Sequence, residues 1–216
     1  MTSPSSGTRV HRLGAGDVAA VTSTLADAFH DYPVMRYTVG DGADYDARLA
    51  TLVRFFVMAR VLRDEPILGV YDGDGLAAAA LVSNPANAES PLALGLLREE
   101  VWSAVGAEAR ARYEAIGAVW RTFDVEEPTL HLNMVGVRRG LQRRGLGRAL
   151  LDEVHRMAAG TPGVEGVTLT TEDPVNVALY EHVGYVVRAR QPLVAGLTTW
   201  GLFRPVTRPA GAPPRE

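Results

Sequence analysis

Two spacings of apolar residues alternate along the chain and predict its helices and strands. Apolar positions three or four residues apart predict helices over 17–29, from about 49 to 63, over 92–121 as one or two helices, and over 146–159 and 173–183. Asp17 and Asp173 are the predicted N-caps of the first and last of these helices, and Pro174 fits the first position of the last. Short apolar runs predict strands over 8–13, 129–137, 164–171, 184–190 and 197–205. Two further apolar runs, within 67–84, flank the tetrapeptide Asp-Gly-Asp-Gly, which favours a tight turn and predicts a β-hairpin.

The order of these elements predicts a single α/β domain with a mixed sheet. A strand and two helices come first, the hairpin and a helical segment follow, and strand, helix, strand, helix and two strands complete the order. Residues 129–171 form a strand–helix–strand unit, which predicts two parallel strands joined by a right-handed crossover. We expect the domain to span 8–205, with a disordered tail over 1–7 and a Pro- and Arg-rich tail over 206–216.

The composition excludes several kinds of function. With 47% apolar residues the chain can form a real core, and its formal net charge of −3 disfavours nucleic acid or an anionic membrane as the main partner. No apolar run approaches a membrane-spanning length, and the start MTSPSSGTRV lacks an apolar signal segment, so we expect a cytoplasmic protein. The absence of cysteine excludes disulfides, thiolate metal sites and a cysteinyl intermediate. The histidines show no metal-ligand spacing, so we expect no metal.

A loop rich in Arg and Gly connects the predicted strand 129–137 to the next predicted helix. Gly145 and Gly147 carry no Cβ, so an anion can approach their backbone N–H groups at the positive end of the helix dipole. Arg143, Arg144 and Arg148 can add charge-assisted contacts to a phosphate. The segment QRRGLG is neither a Walker loop nor the dinucleotide fingerprint Gly-x-Gly-x-x-Gly. It predicts a pyrophosphate site, and the alternative is a solvated basic helix start with glycines for a tight turn.

Two motifs in the second half of the chain resemble those of a known family. MVGVRRGLQRRGLGRALL (134–151) is similar to the acetyl-CoA loop of the GNAT superfamily of N-acetyltransferases, whose signature is Gln/Arg-x-x-Gly-x-Gly/Ala. NVALYEHVGYVV (176–187) is similar to the next segment of that family, and the combination resembles the puromycin N-acetyltransferase-like branch. The resemblance implies the GNAT fold, in which the two parallel strands splay apart, and acetyl-CoA as cosubstrate.

The resemblance also implies which residues hold acetyl-CoA. Strand 132–137 would offer main-chain groups to the pantetheine arm, as an added strand does, and the backbone N–H groups of the loop would hold the pyrophosphate. Asn176 and Tyr180 lie four residues apart, on one face of a helix that would look toward the thioester. The implied cofactor-binding residues are Val135, Gly136, Val137, Gln142, Arg143, Arg144, Gly145, Leu146, Gly147, Arg148 and Asn176.

The implied reaction needs a proton donor for the leaving thiolate. An alkylamine with a pKa near ~10.4 must lose a proton before it attacks the thioester, and the departing thiolate, with a pKa near ~8.5, gains one. Tyr180 is the candidate acid, because its hydroxyl stays protonated at neutral pH and the match to the family motif includes it. The alternative is a core tyrosine that packs its helix onto the sheet.

His131 is the candidate base for the proton of the amine. Alternation along the strand predicts that His131 shares one side with Val135 and Val137, next to the cofactor. The segment HLNMVGV is similar to the His-x-His segment of the serotonin N-acetyltransferase branch, but Asn133 occupies the second position. The alternatives are a structural histidine and, as the base through water, Glu126 or Glu127.

The resemblance locates the acceptor pocket near 29–38. Asp31 is the candidate partner of a cationic amine, and Tyr32 and Tyr37 are candidates for its apolar wall, although an ordinary helix–loop corner is the alternative. We expect a small-molecule primary amine, acetylated by direct transfer in a ternary complex, without a nucleic-acid or membrane partner. The alternatives are a protein N-terminus or lysine as acceptor, and a non-catalytic acyl-CoA sensor. Dimers are common in the family, and strand 197–205 would allow a homodimer.

Overall fold

A seven-stranded mixed sheet forms the centre of the computed structural model, which describes residues 8–85, 90–123 and 125–207. The strand order across the sheet is β1-β2-β3-β4-β5-β7-β6, and β4 and β5 form the parallel pair. The predicted tail at 1–7 lies outside the described residues, and so do residues 208–216 of the predicted tail at 206–216. The strands are β1 (His11–Leu13), β2 (Ile67–Asp72), β3 (Gly75–Ser83), β4 (Thr129–Val137), β5 (Gly166–Thr171), β6 (Val186–Pro192) and β7 (Thr198–Pro205).

Seven α-helices of the described ranges cover the two faces of this sheet. They are α1 (Val18–Ala28), α2 (Pro33–Val39), α3 (Tyr45–Leu62), α4 (Leu92–Val105), α5 (Ala107–Trp120), α6 (Leu146–Gly160) and α7 (Pro174–His182). The sequence did not predict α2, because Pro33 suggested an interruption. The proline instead occupies the first turn of the helix, where a missing N–H costs nothing. The helical segment 92–121 divides at Gly106, whose φ of 99° ends α4.

The helix starts agree with the predicted caps at one of two positions. At α7 the Asp173 side chain accepts a hydrogen bond of 2.9 Å from the Val175 N–H, and Pro174 opens the helix, as predicted. At α1 the predicted cap by Asp17 is wrong, because its carboxylate accepts the Gly14 N–H at 2.9 Å instead. A short 3-10 turn over Ala15–Asp17 precedes α1, and this turn directs the aspartate backward.

Each face of the sheet carries its own core. On the first, which we call the α3 face, helices α1 and α3 pack on the sheet and α4 packs on α3, with Leu25, Leu49, Leu52, Val53, Leu81, Trp102 and Met134 buried. On the second, the α6 face, helix α6 packs on the sheet, with Leu130, Leu132, Leu150, Val154, Val167 and Leu169 buried. The amphipathic stripe of α6 predicted from the sequence is this second core.

A β-bulge in β4 reverses the alternation of its side chains. Leu81 of β3 pairs with Met134 and Val82 pairs with Leu132, which leaves Asn133 as the extra residue. Leu132 before the bulge and Val135 after it consequently both belong to the α6 face. The prediction that His131 shares a side with Val135 is therefore wrong, because the bulge shifts the alternation by one residue.

The two parallel strands separate soon after they meet. Pairing between β4 and β5 covers only three residues of each strand, Thr129 to His131 against Gly166 to Thr168. From Leu132 onward β4 pairs with β3 alone, and β5 pairs with β7. The bulge lies where the pairing ends, so a gap opens toward the carboxyl ends of both strands. No helix of the described residues is long and apolar enough to cross a membrane.

Candidate active site

The loop between β4 and α6 alternates right- and left-handed backbone conformations. Gly140, Arg143 and Gly145 have φ values of 83°, 63° and 81°, and α6 begins immediately after Gly145. Successive N–H groups in such a turn converge and form an anion-binding concavity. Arg143 has the same backbone conformation without the freedom of glycine, so the loop stores strain where the sequence predicts a ligand.

The space beside the backbone of this loop is open at both glycines. A Cβ added to Gly145 would meet no other atom within 4 Å, and one added to Gly147 would lie 3.4 Å from Val137 Cγ2, an ordinary contact. Protein packing therefore does not require glycine at 147. Direct approach of a ligand to the backbone gives a physical reason for a glycine there, and that reason agrees with the helix N-terminus that follows.

The arginines of the loop are not all free to reach a ligand. Arg144 Nη1 lies 3.0 Å from Asp72 Oδ2, and Arg148 Nε lies 2.8 Å from Asp152 Oδ1. Both pairs are exposed, so each contributes about 0–1 kcal/mol and can be exchanged for a phosphate contact. Among the described residues Arg143 forms no ion pair, and its guanidinium is available.

Helix α7 brings Asn176 and Tyr180 to the end of β5. Asn176 Nδ2 donates to Thr171 Oγ1 over 3.4 Å. Tyr180 is 8% exposed, and its ring meets that of Tyr185 edge to face at 5.5 Å. Burial, together with the charge of Glu172, raises the pKa of Tyr180 well above its ordinary value. The hydroxyl keeps its proton at neutral pH and makes no hydrogen bond within the part of the chain that the structure describes.

His131 lies on the α3 face, next to a buried cation. Its Nδ1 is 3.0 Å from Thr168 Oγ1 on the neighbouring strand. Burial and then the positive charge of Arg60 lower the pKa of His131 to about 4. The ring is therefore neutral at pH 7, with a free lone pair for a proton but a low affinity for it.

Arg60 on α3 was missed by the sequence analysis, and it holds the bulge of β4. Its Nη1 donates to Asn133 Oδ1 over 2.6 Å, and its Nε lies 2.9 Å from Glu65 Oε2. Arg60 and Glu65 are both buried, so the ion pair lies in the core beside the gap. Helical spacing on α3 gives no sign of this role, because Arg60 follows an apolar stretch and resembles an ordinary C-terminal cation.

Glu172, directly after β5, was also missed. The Tyr32 hydroxyl donates to its Oε2 over 2.9 Å, while Trp120 Nε1 and Thr199 Oγ1 donate to its Oε1 over 2.9 and 2.7 Å. The Tyr32 oxygen in turn accepts the Glu172 N–H and lies 3.1 Å from Thr171 Oγ1. This carboxylate joins the ends of β5, α2, α5 and β7, and the only sequence signal is an acid at the end of a strand.

The three predicted acceptor residues occupy two different environments. Tyr32 and Tyr37 pack together in an apolar cluster built around Val34, Ile116 and Leu193. The Tyr32 hydroxyl is engaged by Glu172, so its ring is the part that can meet a ligand. Burial, and after it the charge of Glu172, raises the pKa of this hydroxyl.

Asp31 instead belongs to an exposed ionic network between α1, α2 and the loop. Its Oδ1 lies 3.0 Å from Arg36 Nη2 and its Oδ2 lies 3.2 Å from Arg139 Nη1. The hydrogen bond from Arg36, followed by that from His30, lowers the pKa of Asp31. Its charge is balanced within the protein, unlike that of a carboxylate free to bind an amine.

The two candidate glutamate bases lie far from the loop along β4. Glu126 and Glu127 precede the first residue of β4, whereas the loop follows its last residue. Glu127 Oε1 is 3.6 Å from Arg188 Nη2, and both glutamates line a surface cleft with Glu165. Their surroundings are those of a solvated acidic pair.

Comparison with known proteins agrees with this geometry. Residues 98–187 match the family model of the acetyltransferase (GNAT) domain, a range that contains β4, the loop, α6, β5 and α7. The match covers 90 of the 216 residues, so this part of the chain resembles a GNAT acetyltransferase domain. The predicted GNAT fold, with β4 and β5 parallel, is confirmed, and so is the assignment to the transferases.

Solved structures with this fold come from distant relatives. A histone acetyltransferase HPA2-related protein of Corynebacterium glutamicum superposes with a TM-score of 0.67 at 17% identity, over 94% of this chain and 98% of that one. Polyamine N-acetyltransferase of Drosophila melanogaster gives 0.61 at 16% identity, over 90% and 97%. A putative acetyltransferase of Salmonella typhimurium, solved with its cofactor acetyl-CoA, gives 0.54 at 17% identity, over 97% and 100%. Acetyl-CoA is the usual cosubstrate of the GNAT family.

Proposed function

We propose that this GNAT protein transfers the acetyl group of acetyl-CoA to the primary amine of a small molecule, by direct transfer in a ternary complex. The observation that supports the proposal is the gap between β4 and β5, with the strained glycine loop following β4 and helix α7, which carries Tyr180, following β5. If the loop binds the diphosphate of acetyl-CoA, the acyl end of the ligand extends along β4 toward α7. The absence of cysteine is consistent with direct transfer, since no cysteinyl intermediate can form.

The cofactor contacts in this proposal follow the loop and the strand. Backbone N–H groups around Gly145 and Gly147 hold the diphosphate, and the main chain of Val135 to Val137 hydrogen-bonds the pantetheine arm. Gln142, Arg143, Arg144, Leu146 and Arg148 border the diphosphate, and Asn176 faces the acyl end. When bound, acetyl-CoA supplies an activated acyl group, and the protein supplies its position.

Tyr180 acts as the acid in the proposed reaction. Its raised pKa keeps a proton on the hydroxyl at working pH, and no protein group among the described residues competes for that proton. A thiolate with a pKa near ~8.5 needs modest help to leave, so we assign the acid a contribution of about 10²-fold or less. Most of the rate comes from holding the amine and the carbonyl in contact.

His131 receives the proton of the amine in this proposal, with Thr168 Oγ1 holding its ring. With a pKa of about 4 the imidazole is neutral through the physiological range, so it is always ready to accept. The amine nitrogen becomes far more acidic than a free ammonium ion, whose pKa is near ~10.4, once it bonds the carbonyl carbon, so His131 accepts the proton at that stage and passes it to water. We therefore expect the pH–rate profile to show no ionisation of His131 between about pH 5 and about pH 8.

A small cationic amine is the acceptor class that we propose. Proteins with the same fold include a polyamine N-acetyltransferase and an agmatine N-acetyltransferase, both near 16% identity, so they support the class only by analogy of fold. We propose that the chain lies in the puromycin N-acetyltransferase-like branch, on the combined similarity of 134–151 and 176–187. The expected homodimer through β7 is wrong, because β7 lies inside the sheet and pairs with β5 on one side and β6 on the other.

The test is release of coenzyme A, followed with a thiol reagent across a panel of amines and peptides. We expect turnover with small amines, and Tyr180→Phe to lower kcat at least tenfold, about 1.4 kcal/mol of barrier. Tyr185→Phe is the matched control, because it removes the hydroxyl of a second buried tyrosine, and that hydroxyl is already hydrogen-bonded to His155 of α6. Unchanged kcat in Tyr180→Phe would remove it from the mechanism. Turnover of peptides alone would favour a protein acceptor, and tight acetyl-CoA binding with no turnover would favour a sensor.

A further inference from the structure

A buried carboxylate beside the acceptor side is not used by the proposed reaction. Glu172 is 5% exposed, and the three hydrogen bonds to its oxygens come from a phenol, an indole and a hydroxyl, which are all neutral. Among the described residues no Lys, Arg or His forms an ion pair with it. A buried charge without a counter-charge costs stability even when it is hydrogen-bonded, so a functional role would explain a glutamate at this position.

The negative charge of Glu172 reaches both sides of the proposed reaction centre. It raises the pKa of Tyr32 on the acceptor side and of Tyr180 on the acid side, in each case after burial itself. No neighbouring cation within the described residues cancels this field. A positive group that enters between α2 and α7 would therefore be stabilised.

Two aromatic side chains lie between this carboxylate and the apolar cluster of α2 and α5. Tyr32 and Trp120 each donate a hydrogen bond to Glu172, and both rings pack in the cluster of Val34, Ile116 and Leu193. Rings backed by a carboxylate form a surface that attracts organic cations, through the ring faces and through the charge behind them.

The amine that reacts is the wrong partner for this charge. It must lose its proton before attack, and a carboxylate that stabilised the ammonium would raise the pKa of the amine and oppose that step. A cationic group that keeps its charge throughout the reaction is stabilised by the carboxylate equally in the ground state and in the transition state. Glu172 is thus suited to a second cationic group on the acceptor.

We propose that Glu172, behind the rings of Tyr32 and Trp120, is the counter-charge for a second cationic group of the acceptor, so that the enzyme prefers diamines and aminoguanidines to monoamines. This inference rests on the proposed function, and it names the substrate class of the same site. It assigns Glu172 to specificity and leaves the chemical step to Tyr180 and His131.

The test compares putrescine with n-pentylamine, an isostere in which a methyl group replaces the second ammonium. Glu172→Gln removes the charge and keeps the shape. Its amide oxygen can accept from Trp120 and Thr199, and its NH₂ can donate to the Tyr32 oxygen, whose proton can turn to Thr171 at 3.1 Å. We expect KM for putrescine to rise at least tenfold, with kcat within about twofold and with KM for n-pentylamine unchanged.

Two further variants separate charge from structure. Glu181→Gln removes the same formal charge from the exposed side of α7, and we expect it to change neither KM. Glu172→Asp keeps the charge, and we expect it to recover at least part of the preference for putrescine. Equal changes in KM for both amines would overturn the inference. So would a Glu172→Asp variant that prefers putrescine over n-pentylamine no more than Glu172→Gln does. If the wild type binds acetyl-CoA but acetylates no amine, the proposed function itself fails, which is a different result.

Discussion

Gly140 and Gly145 offer a matched pair of substitutions that separates ligand contact from backbone strain. Both glycines lie in the β4–α6 loop with φ near 80°, at 83° and 81°, and a Cβ added to either would meet no protein atom within 4 Å. Alanine at either position therefore carries the same cost, about 1 kcal/mol of stability from the left-handed backbone. Only Gly145 directly precedes α6, where we expect the diphosphate to approach the backbone.

The expected difference can be worked out from the ligand contacts. A Cβ at Gly145 would push the diphosphate away from the helix start and would cost one or two charge-assisted hydrogen bonds, each about 1.5–3 kcal/mol. That corresponds to a rise in the Kd for coenzyme A of about tenfold for one weak bond to about 10⁴-fold for two strong ones, and a hundredfold rise serves as the worked case. At a coenzyme A concentration of about 100 times the wild-type Kd, the ligand stabilises the wild type by about 2.7 kcal/mol. A hundredfold weaker variant keeps about 0.4 kcal/mol.

The assay is thermal unfolding with and without coenzyme A, supported by calorimetric titration. At about 2–4 °C per kcal/mol for a chain of this size, we expect the ligand to raise Tm by about 5–11 °C in the wild type and in Gly140→Ala. In Gly145→Ala the rise should fall to about 1–2 °C, while both variants lose similar stability without ligand. Equal ligand-induced shifts in the two variants would refute the claim that the diphosphate contacts the backbone at Gly145.

Three further predictions concern the stability of the fold. Burial lowers the folded-state pKa of His155 from 6.5 to about 4, so as pH falls the unfolded chain binds the proton first. Urea titrations from pH 7 to 4 should show that this group lowers the free energy of unfolding by an amount on the order of 3 kcal/mol. His155→Gln, which can still hydrogen-bond Tyr185, should remove that part of the decrease. Arg60→Met should lower the free energy of unfolding by about 3–5 kcal/mol, because Glu65 is left buried and unpaired. Adding Glu65→Gln should recover part of that free energy. No recovery in the double variant would contradict the ion-pair argument. Arg143→Gly should raise the free energy of unfolding by about 1 kcal/mol in urea, since it relieves a φ of 63°, whereas a decrease would show that the arginine side chain outweighs the strain.

Local signals predicted the parts of the fold that depend on neighbouring residues. The Asp-Gly-Asp-Gly turn placed the β2–β3 hairpin, and Asp173 with Pro174 placed the start of α7. The strand–helix–strand unit from β4 to β5 is parallel, as its spacing predicted. In each case a few adjacent residues determine the structure through turn or cap chemistry, so no distant contact was needed.

The parts that were missed depend on distant contacts or on a shift of one residue. The bulge at Asn133 leaves no trace in the apolar pattern, because Leu132 and Met134 continue an ordinary alternation while they face opposite sides. Glu172 is recognisable only once the fold brings Tyr32 to it from 140 residues away. The loop was predictable because its glycines and arginines are consecutive, whereas the acceptor side is assembled from four separate elements.

A structure of the protein with coenzyme A is the most direct test of the central claim. The account predicts diphosphate oxygens within about 3 Å of the backbone nitrogens at Gly145 and Gly147, with the thiol in the gap between β4 and β5, beside the Tyr180 hydroxyl. A diphosphate elsewhere on the surface, or a thiol directed away from Tyr180, would contradict it.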